Sequence, residues 1–361
     1  MQTLERENRF ATKDEQETLS QYVGWGGLAD AFDPDKSAWS TQYQELKSLL
    51  SEEAYRRAKE STLTAFYTPP VVIQVVYQAI ERMGFQSGNL LEPACGIGHF
   101  IGMLPDPLKE TRIYGVELDL LSGEIARQLY QKSTIVIQGF EHTDFPDNFF
   151  DVAVGNVPFG DFNIADQNYN QYHFKIHDYF FAKTMDKVRP GGVIAFITSK
   201  GTLDKANPTF RRYLSERAEL IGALRLPDNT FKQEAGTEVT ADILFLQKRE
   251  RLSTLEPEWL HLDKDPQGIE MNAYFANHPE MIVGEMRMES GPFGPESHCK
   301  AVETKPFSEQ LKEAINHLHG AVHFSRTESF EAIEGEEILP ADLNVRNFSY
   351  TYLNNTLYYR E

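Results

Sequence analysis

The stretch Leu90-Leu91-Glu92-Pro93-Ala94-Cys95-Gly96-Ile97-Gly98-His99-Phe100 decides how the rest of the chain is read. Two leucines followed by an acid suit the carboxyl end of a buried strand, and the glycines predict a turn that brings backbone close to a ligand before a helix begins. Nineteen residues beyond Gly98, Ile113-Tyr114-Gly115-Val116-Glu117 is a second short strand ending in a carboxylate. An acid there is placed to accept both hydroxyls of a ribose. A dinucleotide site would need G-x-G-x-x-G, but Ile101 stands at the third glycine position and Gly102 falls one residue late. Glu92 ahead of the turn also suits an ammonium or sulfonium better than a pyrophosphate, and S-adenosylmethionine carries both cations.

Outward from this motif, candidate strands at 89–92, 112–117, 134–138, 151–155, 192–198, 220–226 and 241–247 are separated by helix-length segments such as 176–188 and 208–218. The alternation predicts an α/β fold with a largely parallel sheet covered on both faces. Thr68 is expected to cap a helix whose first turn takes Pro69 and Pro70, with Val71, Val72, Val75, Val76, Ala79 and Ile80 on one face. Three regions follow. Residues 1–60 read as a helical preface with a glycine cluster, Gly24-Trp25-Gly26-Gly27, in which Trp25 is a packing residue. Residues 61–250 form the α/β domain. After Lys248-Arg249-Glu250-Arg251 the rhythm stops, so 251–361 reads as a separate module or a linker, with one helix near 308–318 and a strand-like ending, Phe348-Ser349-Tyr350-Thr351-Tyr352.

Composition bounds the class. The 361 residues are 41% hydrophobic and 25% charged, ordinary for a globular protein of more than one domain. No apolar run approaches the roughly 18 residues of a membrane span, and the polar amino terminus lacks a secretory pattern, so a cytoplasmic location is expected. Cys95 and Cys299 supply neither a disulfide framework nor a C-x-x-C zinc site, and His99, His142, His173 and His177 do not recur at metal-ligand spacing. Lys plus Arg number 35 against 54 Asp plus Glu, a formal net charge of -19. Segment 196–250, with 9 basic and 8 acidic residues, escapes that acidity. Lys200, Lys205, Arg211, Arg212, Arg225 and Lys232 are therefore the cations expected to meet a nucleic acid. Glu331, Glu334, Glu336 and Glu337 read as a solvated surface.

The fourth strand delivers Asp151-Val152-Ala153-Val154-Gly155-Asn156-Val157-Pro158-Phe159-Gly160. A side-chain amide, a backbone carbonyl and an aromatic ring then meet at a strand's carboxyl end, where open α/β sheets bind ligands. This set suits an exocyclic amine. Its lone pair is delocalised into the ring, and the Asn156 oxygen and Val157 carbonyl can each accept one amine hydrogen while Phe159 stacks on the ring.

The series Phe66-Tyr67-Thr68-Pro69-Pro70, Glu92 through Phe100, Glu117 and Asn156-Val157-Pro158-Phe159 resembles the amino-methyltransferases that modify adenine N6 in DNA, over roughly 65–250. The resemblance implies a Rossmann-like seven-stranded sheet with an antiparallel last strand, S-adenosylmethionine as cofactor with no metal, and a DNA adenine flipped into the site. It further implies that Tyr67 and Thr68 border the methionine part of the cofactor, that Glu92, Ala94, Gly96 and Gly98 line its pocket, and that Glu117 holds its ribose. Two departures stand out. Val157 replaces the first proline of the usual N-P-P-F or N-P-P-Y, and the acid expected near the cofactor adenine is displaced to Glu141 or Asp144. The stretches Lys200–Asp204 and Leu226–Phe231 are similar to regions around the target base, with Phe231 as its candidate aromatic partner and Lys200, Arg211 and Arg212 as DNA contacts.

The preface Gln21-Tyr22-Val23-Gly24-Trp25-Gly26-Gly27-Leu28-Ala29-Asp30 and the ending Leu357-Tyr358-Tyr359-Arg360-Glu361 resemble parts of the large helicase–methylase proteins of mobile elements. That resemblance implies a longer polypeptide with a helicase or other downstream region. Two rivals are a protein glutamine or RNA N-methyltransferase, since a carboxamide nitrogen shares the delocalised lone pair, and a non-catalytic adaptor that keeps the fold.

Overall fold

The computed structural model describes residues 1–22, 24–26, 28–62, 67–232, 238–291, 294–318, 349–353 and 356–360. Phe66, the acidic group Glu331, Glu334, Glu336 and Glu337, and Phe348 lie outside the described residues.

Seven strands, Asn89–Glu92 (β1), Arg112–Glu117 (β2), Thr134–Ile137 (β3), Phe150–Asn156 (β4), Val188–Ser199 (β5), Ala218–Leu226 (β6) and Ala241–Lys248 (β7), form one sheet. Their order is β3-β2-β1-β4-β5-β7-β6, with β7 antiparallel to both β5 and β6 and the pairs from β3 to β5 parallel. This is the seven-stranded arrangement with a reversed last strand that the sequence resemblance implies. β4 is buried from Phe150 through Gly155 and is apolar but for Asp151, which pairs with Arg189, as suits a strand covered on both faces. The strand order reverses between β1 and β4, so Glu92 and Asn156 end neighbouring strands at the crevice where such sheets bind ligands.

The helices are Gln2–Glu7 (α1), Lys13–Leu19 (α2), Ser40–Leu49 (α3), Glu52–Ser61 (α4), Pro70–Arg82 (α5), His99–Gly102 (α6), Leu120–Leu129 (α7), Ile176–Lys187 (α8), Gly201–Asp204 (α9) and Thr209–Arg217 (α10), then Ala273–Asn277 (α11) and Phe307–Ala314 (α12). Thr68 does not cap α5. Pro69 is the N-cap residue with no side-chain bond, and Pro70 has no N–H to satisfy, so Thr68 is free to turn inward, where it is buried. In the preface, Thr12 and Glu15 form a reciprocal capping box at α2. The preface docks on α7: the Ala11 N–H donates to Gln128 Oε1 at 2.7 Å, and Gln16 Nε2 donates to the Gln128 carbonyl at 2.8 Å. Trp25 packs beside the small cluster of Ala31, Phe32 and Ala58.

Beyond β7, strands Leu262–Lys264 (β8) and Glu270–Asn272 (β9) pair with each other, as do Glu285–Gly291 (β10) and Gly294–Lys300 (β11). The chain rhythm changes at 250, but the packing does not. Trp259, Met271, Phe275, Met281, Cys299 and Leu311 belong to the same hydrophobic core as the sheet. Buried Asn272 donates its side-chain N–H groups to the Leu203 and Trp259 carbonyls at 3.0 and 2.9 Å, tying β9 to α9. The strand-like ending forms a hairpin of Ser349–Leu353 (β12) with Thr356–Arg360 (β13).

Candidate active site

A cavity of about 400 Å³ opens at the carboxyl ends of β1, β2 and β4. Glu92, Ala94 and Gly96 form one side of it, Glu117 and Ser122 another, and Asn156 and Pro158 a third. Tyr67 and Thr68, just ahead of α5, complete the wall near His99, whose ring centroid lies 4.8 Å from that of Tyr67. The two sequence motifs are thus one site in space.

Backbone geometry explains the glycines. Gly96 has φ +56° and Gly98 φ +87°, both left-handed. Nothing lies within 4 Å of the place a Gly96 Cβ would occupy, so that backbone borders open space at the cavity wall. Gly98 does not line the cavity; a Cβ there would stand 2.4 Å from the Tyr130 ring, so its need for glycine is steric.

The acids set the electrostatics. Burial, reinforced by the nearby Glu117 carboxylate, pushes the Glu92 carboxyl well above the usual range. Glu92 Oε2 is buried and has no hydrogen-bond partner among the described residues. Burial also raises Glu117 to about 7, against the pull of N–H bonds that Asp119 and Gly96 donate to its two oxygens, each at 2.7 Å. A cationic ligand would relieve both strains at once, which is the test that the ammonium and sulfonium of S-adenosylmethionine pass. Burial raises the Cys95 thiol well above its ordinary value, so it stays protonated.

Glu141 lines the cavity beside Gly139 and Phe140, whereas Asp144 is exposed outside it. Asn156 is the last residue of β4, in register with Ile197 of β5. Val157 extends that pairing: its N–H donates to the Ile197 carbonyl at 3.1 Å, and its side chain is buried. Phe159 packs half-buried against the core and is not part of the cavity wall; of the aromatic rings that line it, which include Tyr67, Phe140 and Phe180, Phe162 is the exposed one at 44%. Leu118, Ser122, Phe162 and Phe180 were not singled out from the sequence, although Leu118 is legible as the residue after the ribose acid.

The residues expected around the DNA fare differently. Phe231 is buried in the core and absent from the cavity wall, so packing rather than an open stacking face explains it here. Arg211 is a correction: it is 2% exposed and donates to the Leu203, Lys205 and Leu260 carbonyls, which removes it from any DNA-facing surface. Arg225 is likewise buried, bridging Asp242 and Asp204. Lys200 is half-buried, donates to the Ser297 carbonyl and hydroxyl, and has its pKa lowered by burial. Arg212 is exposed and paired with Glu256 at 2.5 Å. Among the described residues no helix is long and apolar enough to cross a membrane.

The seven-stranded sheet with one reversed strand and a cavity at its carboxyl ends sets the fold class. Within it, the chain belongs to the N-6 DNA methylase family, whose model matches residues 47–272. It is 31% identical over 215 residues to the defense against restriction protein B of Escherichia phage P1, a match covering 58% of this chain and 9% of that protein. Over 115 residues it is 35% identical to the type II methyltransferase M.CvrRI of Paramecium bursaria Chlorella virus XZ-6E, covering 32% of this chain and 29% of that one. The chain therefore spans less than a third of the length of either relative. Among solved structures it is similar to the M protein of the type I restriction enzyme EcoKI, at TM-score 0.43 and 18% identity, covering 64% of this chain and 55% of that chain.

Proposed function

We propose that this chain transfers the methyl group of S-adenosylmethionine to N6 of an adenine in DNA, the target base being turned out of the duplex into the cavity. The observation that carries the reading is a single cavity joining the acids at the ends of β1 and β2 to Asn156 at the end of β4. When bound, S-adenosylmethionine supplies an electrophilic methyl on a sulfonium. Tyr67 and Thr68 border its methionine part, Glu92 faces its positive charge, Ala94 and Gly96 admit it closely, and Glu117 takes the ribose hydroxyls. Glu141, on the wall, is the acid we assign to its adenine in preference to Asp144.

Asn156 accepts one N6 hydrogen through Oδ1 and the Val157 carbonyl accepts the other, drawing the amine toward tetrahedral geometry so that its lone pair points at the methyl; as the N–C bond forms the S–C bond would break, the sulfonium leaving as a neutral thioether and one N6 proton passing to solvent. Pro158 fixes the backbone between them and an aromatic ring, Phe159 or the cavity-lining Phe162, stacks on the base. Flipping costs a few kcal/mol, which these base contacts offset.

We further propose the division into a preface, 1–60, a catalytic domain, 61–250, and a carboxyl-terminal part, 251–361, a cytoplasmic location, and a downstream helicase-linked region as the source of most DNA affinity. The test is label transfer from methyl-labelled S-adenosylmethionine to duplex DNA, RNA, a glutamine-containing protein extract and no acceptor. N6-methyladenine in hydrolysed DNA is expected. Label confined to RNA or to glutamine would overturn the DNA reading, and cofactor binding with no transfer to any acceptor would favour the adaptor.

A further inference from the structure

The preface is not needed to complete the sheet, yet its glycine turn reaches the cavity wall. Gly24 has φ +68°, a left-handed backbone, and a Cβ placed on it would stand 2.1 Å from Tyr67 Oη and 2.9 Å from Tyr67 Cζ. The bare backbone of the preface therefore lies directly on the Tyr67 hydroxyl. Tyr67 lines the cavity and its ring lies against that of His99, a second wall residue. Two residues before Gly24, the Tyr22 hydroxyl is buried among Asp119, Tyr67, Ser122 and Glu117, and both Ser122 and Glu117 also line the cavity. The turn is held from behind: the Tyr22 ring meets Trp25 edge-on at 5.9 Å, and Trp25 meets Phe32 of the preface core at 5.4 Å.

We infer that the preface turn is a clamp on the cofactor site, in which Gly24, as a positioning residue, holds the Tyr67 ring in place over the methionine end of S-adenosylmethionine while Tyr22 closes the ribose end. The inference rests on the cofactor reading above. It gives the glycine at 24 a purpose that a turn alone does not: any side chain there displaces Tyr67 from the wall. Cofactor affinity is accordingly a property of the preface and the sheet domain together.

The experiment is a four-protein cycle on the full chain, comprising the unmodified protein, Gly24→Ala, Tyr67→Phe and the double variant, with S-adenosylmethionine affinity measured by calorimetry and thermal melting recorded alongside. Gly24→Ala is expected to weaken binding by about 5- to 100-fold, the effect of an overpacked contact. Tyr67→Phe removes the oxygen that the new methyl meets, so the double variant should recover at least part of that loss. A merely structural fault in the preface would not be rescued by a change at Tyr67. Unchanged affinity in Gly24→Ala, or a loss that Tyr67→Phe leaves untouched, would overturn the clamp while the cofactor reading stood. Failure of the unmodified chain to bind S-adenosylmethionine would overturn both.

Discussion

The backbone N–H of Gly96 donates to Glu117 Oε2 at 2.7 Å, so the glycine turn after β1 and the acid ending β2 are one unit. The turn proposed to admit the cofactor also orients the carboxylate proposed for its ribose. Burial nonetheless holds that carboxyl at about 7. A ribose hydroxyl needs an ionised acceptor, so S-adenosylmethionine affinity should rise with pH through about 7 and level off above it. The folded pKa is raised above the ordinary 4.5, so this group's contribution to the stability of the unliganded protein has the opposite trend. It is fully present below about 4.5 and lost as pH rises through about 7. Glu117→Gln should flatten both profiles; calorimetry and melting at pH 5.5, 7 and 8.5 read them, and unaltered slopes would remove Glu117 from the site.

Glu92 leads to a second expectation. Its buried carboxyl favours the protonated form when the cavity is unliganded, whereas a cation favours the ionised form. Cofactor binding near neutral pH should therefore release protons. Calorimetry in phosphate and in Tris, whose ionisation enthalpies differ, would give binding enthalpies that differ in proportion. Glu92→Gln should lower affinity and abolish its share of the release. Identical enthalpies in the two buffers for the unmodified chain would exclude this role.

The fold was legible because its signals are local: seven short apolar runs, carboxylates at the ends of β1 and β2, and glycines where the backbone turns left-handed. Asn156 was legible for the same reason, as the polar residue ending an apolar strand. What escaped depends on distant partners. Arg211 looks like any surface cation until the carbonyl of Leu260, far along the chain, arrives to accept from it. Thr68 looks like a helix cap until the cavity claims it, and nothing near Gly24 in sequence announces Tyr67. The division at 250 follows composition, while burial of Trp259 and Met271 in the sheet core follows only from the packed chain.

Val157 stands where the resembling family carries proline, and its N–H supplies a bond to Ile197 that proline would lack. Val157→Pro should therefore lower stability by about 1 kcal/mol through the lost β4–β5 bond, while stiffening the backbone that presents the carbonyl. Denaturant melts and single-turnover rates measured together would separate the two effects. A variant more stable than the parent would show that the bond contributes nothing.

Arg211 and Arg212 are neighbours with opposite expectations. Arg211→Ala strands the buried carbonyls of Leu203 and Leu260 and the part-buried one of Lys205, and should cost about 2–5 kcal/mol of stability. Arg212→Ala breaks only an exposed pair with Glu256 and should change stability by less than about 1 kcal/mol. Any loss of DNA binding in a folded protein should appear with Arg212 alone. Salt-dependent binding of a methylatable duplex, compared with thermal melts of both variants, checks the assignment.

Asn156→Ala addresses the chemistry itself. Asn156 ends β4 on the cavity wall, on the strand beside the one that Glu92 ends, and it is assigned to the acceptor amine rather than to the cofactor. Its removal should cut single-turnover methyl transfer by about 100- to 1000-fold, the usual cost of one preorganised polar contact to a reacting group, and leave S-adenosylmethionine affinity close to normal. Phe159→Ala and Phe162→Ala separate base capture from chemistry. Whichever ring stacks on the adenine should weaken DNA capture when removed, by about 1–3 kcal/mol, with the other nearly silent. Because Phe162 is the one exposed at the cavity, its loss should be felt without any loss of stability, whereas Phe159→Ala should also lower the melting temperature. Transfer by Asn156→Ala at the parent rate would detach the asparagine from catalysis and, with it, the adenine assignment.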